Sequence, residues 1–266
     1  MPHDIFMAAV VAGADMVKAR TLVGGFTEMR ERHLFDRIQH YEPQDLAVKG
    51  FPKAKELQKE RPPNGPLWQE LHQILAKQPA TLQVHTKITD EVISKAGTGE
   101  AVAIAPGKSR VLRWTELPDP PSSRIPPFII QRRILEISDS RIEQILAENG
   151  FKVKSDLVDE SYQWWLNDVE FALTRTYALS LDFNQSPDSN QSPSQQIPDL
   201  ASLQPVADFW ILFVRTRVDS TPERTQYGQN QLARIREQFA GVFDFKAFDR
   251  RFFDSRIQEK RVQGSA

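Results

Sequence analysis

Apolar residues alternate with polar ones along much of this chain, and that period of two constrains the fold more than any other feature of the sequence. Leu82, Val84, Thr86 and Ile88 fall on one face of an extended segment, while Thr81, Gln83, His85 and Lys87 fall on the other. Similar patterns run through Leu34 to Tyr41, Arg110 to Leu117, Phe128 to Ile137, Ser161 to Leu179 and Phe209 to Val218, and Ile5 to Val11 is a continuous apolar strand. Several of these segments are long for strands, and long strands suit a sheet that curves or closes on itself. In the last of them Trp210, Leu212, Val214 and Val218 share a face, which is expected to line the barrel interior.

Four segments carry helical signals instead. One opens at Asp15 and carries Met16, Ala19, Val23 and Phe26 on a stripe before Gly24 and Gly25 weaken its end. A second runs from Pro66 to Pro79, with Leu67, Leu71, Ile74 and Leu75 at helical spacing. A third pairs Ser140 and Glu143 as a capping box, with Gly150 as its left-handed stop. The fourth is capped by Ser220 and Glu223, lines up Leu232, Ile235 and Phe239, and stops at Gly241. Many long strands and few helices, in no strict alternation, predict an α+β fold: an antiparallel β-barrel with a few flanking helices.

The expected organisation is a single domain over residues 1–266, broken twice. Lys49 to Pro66 mixes prolines with lysines and is expected to be an exposed connection. Asn184 to Pro198 repeats NQSP and offers only Ile197 to bury, so a disordered insertion is expected there.

Composition removes whole classes of function. The chain has no cysteine, so disulfide scaffolds, thiolate nucleophiles and thiolate zinc sites are excluded. Thirty-four basic against 35 acidic residues give a net charge of -1, which provides no global attraction to nucleic acid or to an anionic membrane. The apolar run Ile5 to Ala14 is far shorter than the ~20 residues of a membrane-spanning helix, and its Met1-Pro2-His3-Asp4 start lacks the basic charge of a secretory signal.

No catalytic set stands out. The five histidines, His3, His33, His40, His72 and His85, include no helical metal-binding pair, and Gly97-Thr98-Gly99 lacks the third glycine and the helix start of a phosphate-cradling loop. Asp168 and Glu170 are the one acidic pair at strand spacing, which would set two carboxylates side by side on one face. They motivate an alternative function, a metal-dependent phosphohydrolase working in the barrel tunnel. Against it, tunnel-type triphosphatases carry glutamates at that spacing followed two residues on by a lysine, whereas here that place is Ala172 and Glu-x-Glu occurs nowhere in the sequence. From Lys246 to Arg261 six positive charges alternate with Asp249, Asp254 and Glu259 and with phenylalanines. Phe243 and Phe245 are expected to point inward and Phe248 and Phe252 outward, which makes the last two the candidate partner-binding residues.

The run GVFDFKAFDRR from Gly241 to Arg251 resembles the C-terminal signature of the fungal-type Mediator subunit 18 family. SYQWWLNDVEFALTR (Ser161 to Arg175) and PPFIIQRRILEI (Pro126 to Ile137) are similar to that family's aromatic and central strands, and RHLFDRIQHYEP and LHQILAKQPATLQVHTKI fit its N-terminal half. The resemblance implies a barrel shaped like those of the tunnel triphosphatases, acting without catalysis or cofactor as a nuclear scaffold in the Mediator head module. Implied partners are Mediator subunit 20, a C-terminal helix of Mediator subunit 8, other head-module subunits and RNA polymerase II, with neither sequence-specific DNA nor membrane contact.

Overall fold

The computed structural model describes residues 1–61, 63–88, 102–103, 110–120, 122–179, 196–197, 203–246 and 248–257. Its strands are β1 (His3–Ala12), β2 (Arg32–Pro43), β3 (Leu82–Ile88), β4 (Val102–Ala103), β5 (Arg110–Thr115), β6 (Ile130–Ser138), β7 (Phe151–Leu166), β8 (Val169–Ala178), β9 (Gln196–Ile197) and β10 (Phe209–Val218). Its helices are α1 (Met16–Thr27), α2 (Ala54–Leu57), α3 (Asn64–Lys77), α4 (Ile142–Glu148) and α5 (Pro222–Gln238). Eight strands close into a barrel in the order β1-β10-β8-β7-β2-β3-β5-β6, each pair antiparallel, and β4 pairs with β9 apart from it. The glycine pair at Gly97 and most of the expected insertion Asn184 to Pro198 lie outside the described residues, apart from the two residues of β9.

The alternation in the sequence is real, but the side it faces is reversed. Trp210, Leu212 and Val214 are buried, yet they pack outside the wall, with Ile5, Met7 and Ala9 of β1, beneath Ala19 and Val23 of α1 and Leu232 and Ile235 of α5. A second apolar cluster lies under α2, α3 and α4, where Trp68, Leu71 and Leu75 meet Leu82, Leu112 and Ile137. The inner face carries mainly polar side chains, with Phe6, Ile38, Leu157, Ile211 and Phe213 among them, around a hollow of about 620 Å3. An eight-stranded barrel is narrow inside, so the helices on its exterior offer far more apolar area to bury than its lumen does.

Other departures are local. Ser161 to Leu179 is not one strand: the chain turns at Asn167 and Asp168, with Asn167 in the left-handed region, and β7 extends back to Phe151 over 16 residues. α5 is capped by Thr221, whose hydroxyl accepts the Arg224 N–H at 3.4 Å, rather than by Ser220. α4 has no Ser140 cap; Asp139 accepts the Arg141 N–H at 2.9 Å, and Glu143 reaches out to Arg110. α1 runs through Gly24 and Gly25 and ends at Glu28, which is left-handed, whereas Gly150 and Gly241 make the expected left-handed stops. The Lys49 to Pro66 connection is not wholly exposed, since Phe51, Ala54 and Leu57 are buried against α3 and the Phe51 N–H donates to His72 Nδ1 at 3.0 Å.

Candidate functional site

The hollow is lined where inward-facing positions of the strands carry charge. β10 supplies Arg215 and Arg217, β5 Arg113, β6 Arg132, β1 Asp4, β2 Asp36 and His40, β3 His85, β7 Asp159 and β8 Glu170. Most of these charges are paired. Arg132 reaches Asp4 at 3.1 Å; Glu136 of β6 accepts from Arg113 at 2.7 Å and from Arg217 at 3.0 Å; Lys154 reaches Glu42 at 2.5 Å. Burial works to raise the Asp4 pKa, but Arg132, Arg215, Arg217 and Arg113 together hold it below the usual carboxylate range.

Two carboxyls behave oppositely. Asp36 and Asp159 face each other in the β2–β7 register, and burial raises both, Asp159 to about 6 despite a 2.6 Å hydrogen bond from the Thr176 hydroxyl. His85 falls well below its ordinary value through burial and then through the surrounding arginines, and burial lowers His40. Both histidines are held toward the neutral form.

Of the residues singled out from sequence, Asp168 and Glu170 are not brought together on a strand face. Asp168 sits exposed in the β7–β8 turn, while Glu170 faces inward with Arg215 at 3.4 Å. Arg175 lies 4.0 Å from Asp208, with the Tyr177 and Trp210 rings alongside. Among the described residues no group of three His, Asp or Glu side chains lies close enough to hold a metal ion.

The C-terminal segment crosses one end of the barrel. Lys246 bridges to Ala8 and Arg256 to Ala80; the Thr81 N–H donates to the Ser255 carbonyl at 2.7 Å, and the Ser255 hydroxyl donates to the Thr115 carbonyl at 2.7 Å. Phe253 packs edge-on against Phe6 of the inner wall, with Arg132 over both rings. Phe245 is buried and Phe243 half-buried, but in the first cluster, outside the wall rather than in the barrel interior as expected. Arg250–Phe253 is a short 3-10 turn rather than a strand, and this separates the two candidate partner-binding rings. Phe252 is 72% exposed, whereas Phe248 is half-buried beside Phe253. The tail's charges pair locally, Asp244 with Lys246, Asp249 with Arg251 and Asp254 with Arg256, which leaves little free positive potential for nucleic acid in the described part.

Sequence reasoning missed Arg113, Glu136 and the Asp36–Asp159 pair. The available signal was charge at alternate positions inside strands that are otherwise apolar.

These features define a class: a closed, eight-stranded antiparallel barrel with a charge-paired tunnel and helices sealing its outside. The model of the Med18 protein family matches residues 3–256, and the chain belongs to that family, Mediator subunit 18. No curated protein matches it. Among solved structures, a chain of the Schizosaccharomyces pombe Mediator head module aligns over 92% of this chain and 98% of its own, at 11% identity and a TM-score of 0.60. A putative adenylyl cyclase from Hippeastrum, described as having a dominant triphosphatase activity, aligns over 92% of each chain at 9% identity with a TM-score of 0.44. A Pyrococcus horikoshii protein aligns over 94% of this chain and 96% of its own, at 9% identity and 0.42. The likeness to the head-module chain is one of fold.

Proposed function

We propose that this chain is a non-enzymatic scaffold subunit of the Mediator head module, working in the nucleus to connect regulators with RNA polymerase II initiation. The observation that carries this reading is the family match over residues 3–256. The tunnel supports it. A catalytic barrel needs ionised acids left available for metal or substrate, whereas here Asp4, Glu42, Glu136 and Glu170 are engaged by basic side chains, burial raises the pKa of Asp36 and Asp159, and Asp168 stands outside the wall. The partners we assign are Mediator subunit 20, a C-terminal helix of Mediator subunit 8 and other head-module subunits, with the exposed Phe252, rather than the half-buried Phe248, as the candidate contact. Affinity purification of the tagged chain from nuclear extract, and co-expression with subunits 20 and 8, test the reading. Recovery of head-module subunits is the expected result; recovery of the chain with no other Mediator subunit overturns it.

A further inference from the structure

Arg215 stands apart from the other charged groups of the tunnel. Arg113 and Arg217 share the Glu136 carboxylate between them. The carboxylate nearest to Arg215, Glu170, approaches only to 3.4 Å, and the Arg215 Nε is buried with no hydrogen-bond partner. On this side of the hollow four guanidinium groups, those of Arg113, Arg132, Arg215 and Arg217, therefore meet three carboxylates, Asp4, Glu136 and Glu170, an excess of one positive charge beside one unused donor. His85, reaching in from β3, registers the same field: beyond burial, Arg113, His40, Arg215 and Arg217 all act to lower its pKa. Asp36 and Asp159, on the adjoining wall, are the counterweight; both hold their protons more tightly than an ordinary carboxyl, Asp159 up to about pH 6, so the negative charge they set against an incoming anion falls in mildly acidic solution. The hollow, about 620 Å3, has room for a small ion. A guanidinium presents its N–H donors in a planar fork that matches the oxygens of a tetrahedral oxyanion, and such charge-assisted bonds strengthen away from bulk water.

We infer that the tunnel contains a binding site for a small tetrahedral oxyanion of the sulfate or phosphate type, centred on Arg215 and flanked by Arg113 and Arg217. The site is a binding site only, with no hydrolytic step. It does not depend on the scaffold role proposed above, and its test is run on the purified chain without partners.

The experiment is a titration of the full chain with sodium sulfate against sodium chloride at matched ionic strength, which removes general screening from the comparison. It is followed by the NMR signal of the Arg215 Nε–H and by melting temperature. A saturable sulfate-specific shift of that signal is expected. Arg215→Gln should weaken binding by about tenfold or more, the loss of one charge-assisted contact. Glu170→Gln removes the competing negative charge and should tighten it. Free phosphate and a phosphoserine peptide, titrated side by side, distinguish a free ion from one carried on a side chain; binding of either supports the site, and binding of the peptide assigns it to a phosphorylated chain. An Arg215 signal that moves no more with sulfate than with chloride overturns the inference. So does a Glu170→Gln variant that binds more weakly than the parent. The wild-type NMR titration stands even if the Arg215 variant does not fold.

Discussion

Asp159→Asn is expected to make the protein more stable at neutral pH. Asp159 is enclosed by the β7 wall, accepts one hydrogen bond from Thr176 and faces a second carboxyl, Asp36, so its pKa rises from 3.8 to about 6. A folded-state pKa above the unfolded value means that ionising the group favours unfolding. Below about pH 3 the carboxyl is protonated in both states and the penalty is absent; it grows as pH rises through 3.8 and is complete above about pH 7, where the group is ionised in both. Roughly two pKa units at ~1.4 kcal/mol each give a ceiling of about 3 kcal/mol, and contact with the hollow trims this to about 1–3 kcal/mol. Asparagine keeps an oxygen to accept the Thr176 hydroxyl and carries no charge, so the variant should lose little of the local bonding. Urea unfolding of both proteins at pH 4 and pH 7.5 measures the effect. The advantage of Asp159→Asn should widen by about 2 kcal/mol between the two conditions. Taking the difference between the proteins cancels carboxylates such as Asp4, whose lowered pKa gives the opposite pH dependence. A difference that is constant with pH, or a variant less stable at pH 7.5, would refute the assignment of Asp159 as a strained carboxyl.

Leu212→Asp should unfold the protein, because Leu212 is fully buried between the barrel wall and the helices; a lone carboxylate there costs several kcal/mol against a total stability of about 5–15 kcal/mol, and loss of the cooperative melting transition is the readout. Gly65→Ala should cost about 1–3 kcal/mol in chemical denaturation, since a Cβ at that point would stand 2.2 Å from the Glu60 carbonyl oxygen, a backbone atom that cannot step aside cheaply. Phe253→Ala should expose the C-terminal segment to trypsin at Arg250 and Arg251, through loss of the contact with Phe6 and Arg132; an unchanged cleavage rate would show that the backbone bonds at Ser255 suffice to hold it. Phe252→Ala should leave the melting temperature nearly unchanged and weaken co-purification with a head-module subunit, whereas Phe248→Ala, whose ring lies beside Phe253, should lower the melting temperature.

How much of this was legible in the sequence depends on which physical scale set each feature. Phe209 to Val218 could be read with its bounds intact because no breaker interrupts the alternation. The same alternation says that two faces differ, and it is silent on which face a closed sheet turns inward; that was settled by α1 and α5, which come from opposite ends of the chain to cover Leu212 and Val214. The β7–β8 turn was hidden because Asn167 and Asp168 carry no glycine and sit between Leu166 and Val169, so the segment reads through as one strand, and that misreading produced the Asp168–Glu170 pair. The tunnel's charge pairing is a property of register, which lies beyond spacing along one strand. Arg113 meets Glu136 because β5 and β6 align at that pair; slide one strand by two residues and Arg113 faces Ile134 or Ser138 instead. Each such slip keeps the inner face polar and the outer face apolar, so the hydrophobic pattern tolerates it where a one-residue slip would turn every side chain over. What resists the two-residue slip on the inner side is the ion pair itself, because an Arg113 moved off Glu136 would be a buried cation facing an isoleucine or a serine, while Arg217 would lose the same carboxylate. The paired charges of the tunnel thus do structural work that the apolar core does not do: they select one register among those that bury the same residues.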